Sequence, residues 1–446
     1  MARSALLIGN ITHARNEWDE LSSLLELKEY KTGSRDEFLS KLKSGDFNDT
    51  FVVYRSNEST GVTGPFDKEL VDLLPSSVKY ITHNGAGYDN IDVKACTARG
   101  IQISSTPIAV NDATADIAIF LMLGALRRIT VPFNAVRKGE WRGKAFGLGH
   151  DPKNKVLGIL GMGGIGKAVA ERAAAFGMKI QYHNRNPLPA DKAGNAKYVS
   201  FDDLIKTSDV LSLNLALNPS TKHIISTAQF DMMKDGVVIV NTARGPIIDE
   251  AALVKAIQSE KVFSAGLDVF EEEPKIHPEL ISDDRVVLLP HIGTATWETQ
   301  KDMELLVLEN LRSAVEKGEL VTLIPEQSNF GGPDRRSSDN GLVQKLVCPR
   351  LGSSADLFAT GIYGVVKVVV TGLALAFMTG QLGRKWSLII GALGQAFAMI
   401  YIGINRAVNP VVKGAPLNGN SIFAIISVYL FVVFLQHRMG DLSPSS

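Results

Sequence analysis

The chain has 446 residues, with 47 Lys and Arg against 47 Asp and Glu, and its two cysteines are Cys96 and Cys348. That length holds two or three domains, and the balanced charge excludes bulk electrostatic attraction to nucleic acid. Two cysteines so far apart exclude a disulfide framework and a zinc-ligand spacing, so a reducing compartment and no metal site are expected.

The N-terminus is too poor in apolar residues for a signal peptide and reads as a first strand at residues 5–8. Short apolar runs at 51–54, 78–82 and 101–104 predict further strands, and residues 35–43 and 67–73 carry helical patterns. This alternation predicts a small α/β domain with a parallel sheet. Within it, THNGAGYDNID offers Gly85, Ala86 and Gly87, whose small side chains expose backbone N–H groups suited to a carboxylate. A plain glycine-rich turn is the alternative. Tyr88 beside them is expected to narrow the pocket for small acids or to stack on larger ones. Residues 116–128 predict an apolar helix with Arg127 and Arg128 in its last turn, where they suit the dipole.

The run VLGILGMGGIGKAVAERAAAFGM is the densest signal. An apolar strand, Val156–Leu160, ends at Gly161, and Gly163 with Gly166 completes G-x-G-x-x-G as a helix begins. The first glycine permits the tight turn, the second lets backbone approach a pyrophosphate, and the third lets helix pack on strand. The helix N-terminus offers free N–H groups to the phosphates. Further strands are expected at Lys179–His183, 210–215, Val237–Asn241, 264–269 and 286–289, separated by helices as βαβ units require. A helix at Trp297–Lys317 then carries the chain back to the first domain.

Three polar residues stand at strand ends after the glycine turn: Arg244, Glu273 and His291. Ligands of open α/β sheets bind beyond the carboxyl ends of the strands. Arg244 supplies a planar donor fork for carboxylate and carbonyl. His291 can give a proton near neutral pH, and Glu273 can orient and charge the imidazole. Taken singly, each has a structural reading; their order behind a well-placed glycine turn argues for chemistry. At the end of the second nucleotide-domain strand, where an acidic residue would bind the ribose 2′-hydroxyl of NAD, stand Asn184 and Arg185. Asn184 removes a carboxylate that would repel a 2′-phosphate and Arg185 can pair with one, which favours NADP(H) and leaves NAD(H) possible. A solvated loop arginine is the plain reading of Arg185.

Together NGAGYDNID, NDATADIAIFLMLGALRR, the glycine-turn run, VVIVNTARGPIIDE, GLDVFEEEP and LPHIGT resemble the D-isomer-specific 2-hydroxyacid dehydrogenases over about residues 1–328. YHNR and VTLIPE resemble the fungal glyoxylate and hydroxypyruvate reductase branch. The resemblance implies two Rossmann-like domains with parallel sheets: a substrate domain from residues 1–112 and 299–328, split around a dinucleotide-binding domain at 113–298. It implies that Arg244 binds substrate, that Glu273 with His291 forms the acid–base pair, and that Ala86 and Gly87 hold the carboxylate. Thr114, Gly164, Ile165, Leu215, Thr242 and Asp268 fall on the family's cofactor contacts, and members pair as homodimers through the nucleotide domains. A non-enzymatic dinucleotide-binding regulator on the same fold is the competing reading; it would tolerate loss of the acid–base pair, which is intact here.

After residue 328 the character changes. Residues 329–350 are a polar, Gly/Ser-rich linker. Apolar stretches follow at 357–379, 387–404 and 422–435, expected as an all-α, three-helix hydrophobic segment of membrane type. Residues 351–437 resemble part of the second half of fungal sugar or quinate transporters of the major facilitator class. Three helices lack the paired halves that hold a transported substrate, so transport is the weaker reading. Transporter topology would set the enzyme on the far side of the membrane, whereas the basic flanks set it in the cytosol, where reduced cofactor is found. A fused or mispredicted gene product is the simpler explanation of the join.

Overall fold

The computed structural model describes residues 3–56, 58–142 and 147–328. The linker and the three apolar stretches expected at 329–437 lie outside the described residues. Among the described residues, no helix is long and apolar enough to cross a membrane.

Strands β1 (Ser4–Ile8), β2 (Glu26–Tyr30), β3 (Thr50–Arg55), β4 (Tyr80–His83) and β5 (Gln102–Ser104) form one sheet in the order β2-β1-β3-β4-β5. A second sheet contains β6 (Val156–Leu160), β7 (Lys179–His183), β8 (Lys197–Tyr198), β9 (Val210–Leu213), β10 (Val237–Asn241), β11 (Val262–Leu267) and β12 (Val286–Leu288). Its order is β12-β11-β10-β9-β6-β7-β8. Every pairing is parallel. Central strands such as SALLI and VVIVN are buried along their whole length, as parallel strands covered on both faces must be. The strand order reverses at β6, between β7 and β9, so the glycine turn sits at a topological switch point.

Two edge strands escape the apolar pattern. In ELKEY of β2 only Tyr30 is buried, and β8 is two exposed residues. The apolar helix begins at Asn111, ahead of the expected Asp116, because its polar first turn lacks apolar periodicity. It ends at Leu126, before both arginines. Arg127 is the C-cap, while Arg128 takes a left-handed φ of 47° and lays its guanidinium 3.9 Å over the Phe263 ring. Neither therefore lies in the last helical turn.

The helix Trp297–Lys317 returns to the first sheet, where Val307, Leu311 and Ala314 join Ala5, Leu7, Trp18, Val52 and Tyr54 in one core. Its buried Glu304 accepts backbone N–H bonds from Thr12 at 2.9 Å, His13 at 2.6 Å and Ala14 at 2.8 Å. In Glu304→Gln one acceptor oxygen becomes an NH2 group facing an N–H. The substitution is expected to cost about 1–3 kcal/mol, read as a lower urea midpoint at unchanged m-value.

Candidate active site

The turn after β6 needs its glycines. Gly161 has a φ of +99°, and a Cβ there would meet the Asn214 carbonyl oxygen at 2.6 Å. At Gly166 a Cβ would lie 2.3 Å from the Gly161 oxygen, whereas at Gly163 it would meet open space. Gly164 lies against the Asn111 amide, and Leu215 packs on Gly161. The helix Gly164–Ala175 has no side-chain cap at Gly163, so its first N–H groups are left for an anion. Asn184 accepts from the Met162 N–H at 2.6 Å, tying the end of β7 to this turn, and Arg185 beside it is exposed.

A cleft of about 550 Å³ opens between the two halves. Ala86 and Gly87 line it from the first half, and Arg244, Glu273 and His291 from the other. Thr114, Ile165, Thr242 and Asp268 line it too. Gly161, Gly163, Gly164, Gly166, Asn184, Arg185 and Leu215 sit at the glycine-turn end, outside that lining. Tyr88 does not line the cleft either. Its hydroxyl donates to Glu326 Oε2 at 2.7 Å, so the expected narrowing of the pocket by this ring is not what the fold does.

Arg244 follows β10 and caps the short 3₁₀ turn Gly245–Ile247. Asn241 fixes this corner, donating to the Arg244 carbonyl at 3.0 Å and accepting from the Ala243 N–H at 3.0 Å. The guanidinium is less free than a fork for two substrate oxygens requires. Its Nε donates to Asp89 Oδ1 at 2.9 Å and Nη1 to the Ala243 carbonyl at 2.8 Å. Nη2 remains, next to Gly87, where a Cβ would come within 1.8 Å of it. Asp89, in the quoted loop but not singled out from sequence, thus aims the arginine across the cleft.

Glu273 Oε2 lies 2.8 Å from His291 Nδ1, and Oε1 accepts from the Phe270 N–H at 3.0 Å. Burial pushes the Glu273 carboxyl up, but the bonds from His291 and Phe270 outweigh it and hold it below the ordinary range. The ion is therefore present at neutral pH. His291 has a left-handed φ of 56°, uncommon for a residue with a side chain, and its N–H donates to the Asp268 carbonyl at 2.8 Å. The Asp268 carboxylate completes this turn, accepting from the Ile292 and Gly293 N–H groups at 2.8 Å each. Burial raises the Asp268 carboxyl above its usual range. With Nδ1 committed to Glu273, Nε2 is the imidazole atom left for the cleft.

Comparison with known proteins identifies the family. Residues 119–293 match the family model described as D-isomer specific 2-hydroxyacid dehydrogenase, NAD binding domain. A 4-methyl-2-oxopentanoate reductase A from Aspergillus oryzae is 65% identical over 326 residues, 73% of this chain and 99% of the relative. A glyoxylate reductase structure from Paecilomyes thermophila aligns with a TM-score of 0.72 at 65% identity, covering 73% of this chain and 99% of that one. The holo D-mandelate dehydrogenase of Rhodotorula graminis aligns at 0.69 with 33% identity, covering 73% and 98%. Residues 347–442 match a separate model, sugar (and other) transporter, so dehydrogenase-like and transporter-like segments are joined in one chain. The chain belongs to the D-isomer-specific 2-hydroxyacid dehydrogenases.

Proposed function

We propose that residues 1–328 form an NADPH-preferring reductase of small 2-keto acids of the glyoxylate and hydroxypyruvate class. The half built on the first sheet, residues 1–112 with 299–328, takes the substrate, and residues 113–298 take the dinucleotide. One observation carries the reading: an ionised Glu273 holding His291 at 2.8 Å, facing Arg244 in one cleft with the glycine turn at the switch point.

Gly161, Gly163, Gly164 and Gly166 fit a pyrophosphate, since the backbone at Gly163 is open and the helix behind it is uncapped. Thr114, Ile165, Leu215, Thr242 and Asp268 flank the rest of the dinucleotide. The chemistry supplied by bound NAD(P)H is a hydride for the keto carbon. Ala86 and Gly87 hold the substrate carboxylate through backbone, and Arg244 Nη2 polarises the carbonyl. His291 Nε2 gives its proton to the oxygen as negative charge develops there, and Glu273 keeps the imidazole oriented through Nδ1.

The NADP(H) preference rests on Asn184 and Arg185. Arg185 is exposed and has no carboxylate partner among the described residues. Asn184→Asp keeps the acceptor for Met162 but places a negative charge where a 2′-phosphate would lie. It is expected to move the NADPH/NADH ratio of kcat/KM toward NADH by about tenfold or more. Arg185→Gln is expected to raise KM for NADPH alone, and an unchanged ratio in both variants would remove the preference.

Homodimerisation through the nucleotide half is supported by exposed apolar side chains there, Phe120, Ile129 and Leu148 around one concavity and Phe133, Val136 and Trp141 besides, of the kind partner surfaces cover. We place the reductase in the cytosol, where reduced cofactor is available. Initial rates with glyoxylate, hydroxypyruvate, pyruvate, phenylglyoxylate and 4-methyl-2-oxopentanoate, each with NADPH and NADH, test the whole reading. Absence of keto-acid-dependent cofactor oxidation would sink it.

A further inference from the structure

Behind the substrate loop lies a charged group with no chemical task so far. Arg55, at the end of β3, is fully buried, yet no carboxylate of the described residues lies within ion-pair distance. Its acceptors are neutral. Nη2 donates to Thr60 Oγ1 at 2.7 Å and Nη1 meets His83 Nδ1 at 3.1 Å. The network turns the Asn90 amide oxygen toward the guanidinium, at 3.1 Å from Nη2 and 3.3 Å from Nη1, and Nε is buried without a partner. Asp89 is the carboxylate whose field reaches Arg55, and it is ion-paired to Arg244. Burial draws the guanidinium down to about 10, which leaves it charged at neutral pH. A buried cation with only neutral partners is costly unless an anion is supplied.

His83 transmits this to the loop. An arginine N–H can only donate, so His83 Nδ1 accepts and Nε2 carries the proton, donating to the Gly87 carbonyl at 3.1 Å. Burial and then the Arg55 charge hold the imidazole neutral, down to about 3. At the loop's other anchor the Gly85 carbonyl accepts from the Thr106 N–H at 3.0 Å. In a planar trans peptide the following N–H points opposite to the carbonyl, so anchoring the Gly85 carbonyl directs the Ala86 N–H the other way, while the bond to the Gly87 carbonyl fixes where Gly87 sits.

We propose that Arg55 and His83 are positioning residues that fix the loop 85–90 and set a buried cation behind it, so that they govern affinity for the carboxylate of the 2-keto acid. This rests on the reading that Ala86 and Gly87 receive that carboxylate. Neither residue touches substrate. Arg55 supplies field and a hydrogen-bonded scaffold, and His83 supplies a neutral strut of fixed tautomer.

The test uses the full 446-residue chain and steady-state rates with glyoxylate, pyruvate and methyl pyruvate, the last lacking the carboxylate charge. Arg55→Gln is expected to raise KM for the two acids by about 10- to 100-fold, the worth of one charge-assisted interaction. KM for NADPH and the kcat/KM for the ester stay within about threefold, as no charged contact to either is lost. His83→Gln, which can accept from Arg55 and donate to Gly87 in the same places, is expected to keep KM near wild type, whereas His83→Leu raises it. Arg55→Lys retains the charge and recovers part of the loss, which also covers the case where Arg55→Gln fails to fold by circular dichroism. Equal losses for acid and ester, or failure of His83→Gln to rescue relative to His83→Leu, would overturn the proposal. A wild-type chain inactive on both acids would instead strike at the substrate reading beneath it.

Discussion

Replacing His291 with glutamine lowers kcat for keto-acid reduction by about 10²–10⁴-fold, the usual worth of a positioned general acid. Glutamine preserves bulk and a donor but cannot release a proton to the nascent alkoxide. The backbone reason for expecting an intact fold is local: the His291 N–H and the Asp268 carboxylate contacts that shape this turn do not involve the imidazole. KM for NADPH therefore stays near wild type, and the thermal midpoint moves little. Glu273→Gln should give a smaller loss with a distinct signature. The carboxyl is held ionised by the hydrogen bonds from His291 and Phe270, and it anchors the imidazole through Nδ1. Without that anchor the ring is free to turn, so kcat falls while KM for NADPH holds near wild type. A His291→Gln enzyme within tenfold of wild type would take the acid role from this residue.

Arg244→Lys is expected to cost about 10²–10³ in kcat/KM, comparable with losing a donor from an oxyanion site. The geometry makes this exchange far from conservative. Nε and Nη1 are occupied by Asp89 and the Ala243 carbonyl, leaving Nη2 for substrate. One ammonium cannot hold both anchors and still reach the cleft beside Gly87, because it lacks the rigid planar spacing of the guanidinium. Most of the loss should appear for glyoxylate and pyruvate alike, since their shared carbonyl and carboxylate are what Nη2 meets. A lysine variant with wild-type kcat/KM would show that the charge alone suffices.

That Arg244, Glu273 and His291 would meet at strand ends beside a glycine turn was legible because each sits where an apolar run breaks, and parallel strands buried on both faces make such breaks sharp. The edge strands were not, since ELKEY carries charges on its open side and β8 is too short to show a period. Asp89 stood in the loop yet drew no attention, because its partner lies 155 residues away and only folding brings them together. Tyr88 pairs with Glu326 across 238 residues for the same reason. Arg55 and His83 were harder still. A cation at a strand end ordinarily reads as solvated, and no sequence period announces one that stays buried.

The chain passes from the first sheet to the second within residues 105–110 and returns within 289–296. Each half is therefore tied covalently to the other at two short crossings rather than one. His291 lies in the second of these crossings, so the segment that joins the halves also carries the imidazole that meets Arg244 and Glu273 in the cleft. The imidazole is half-exposed there, so water reaches it from the same crossing that holds the two halves together.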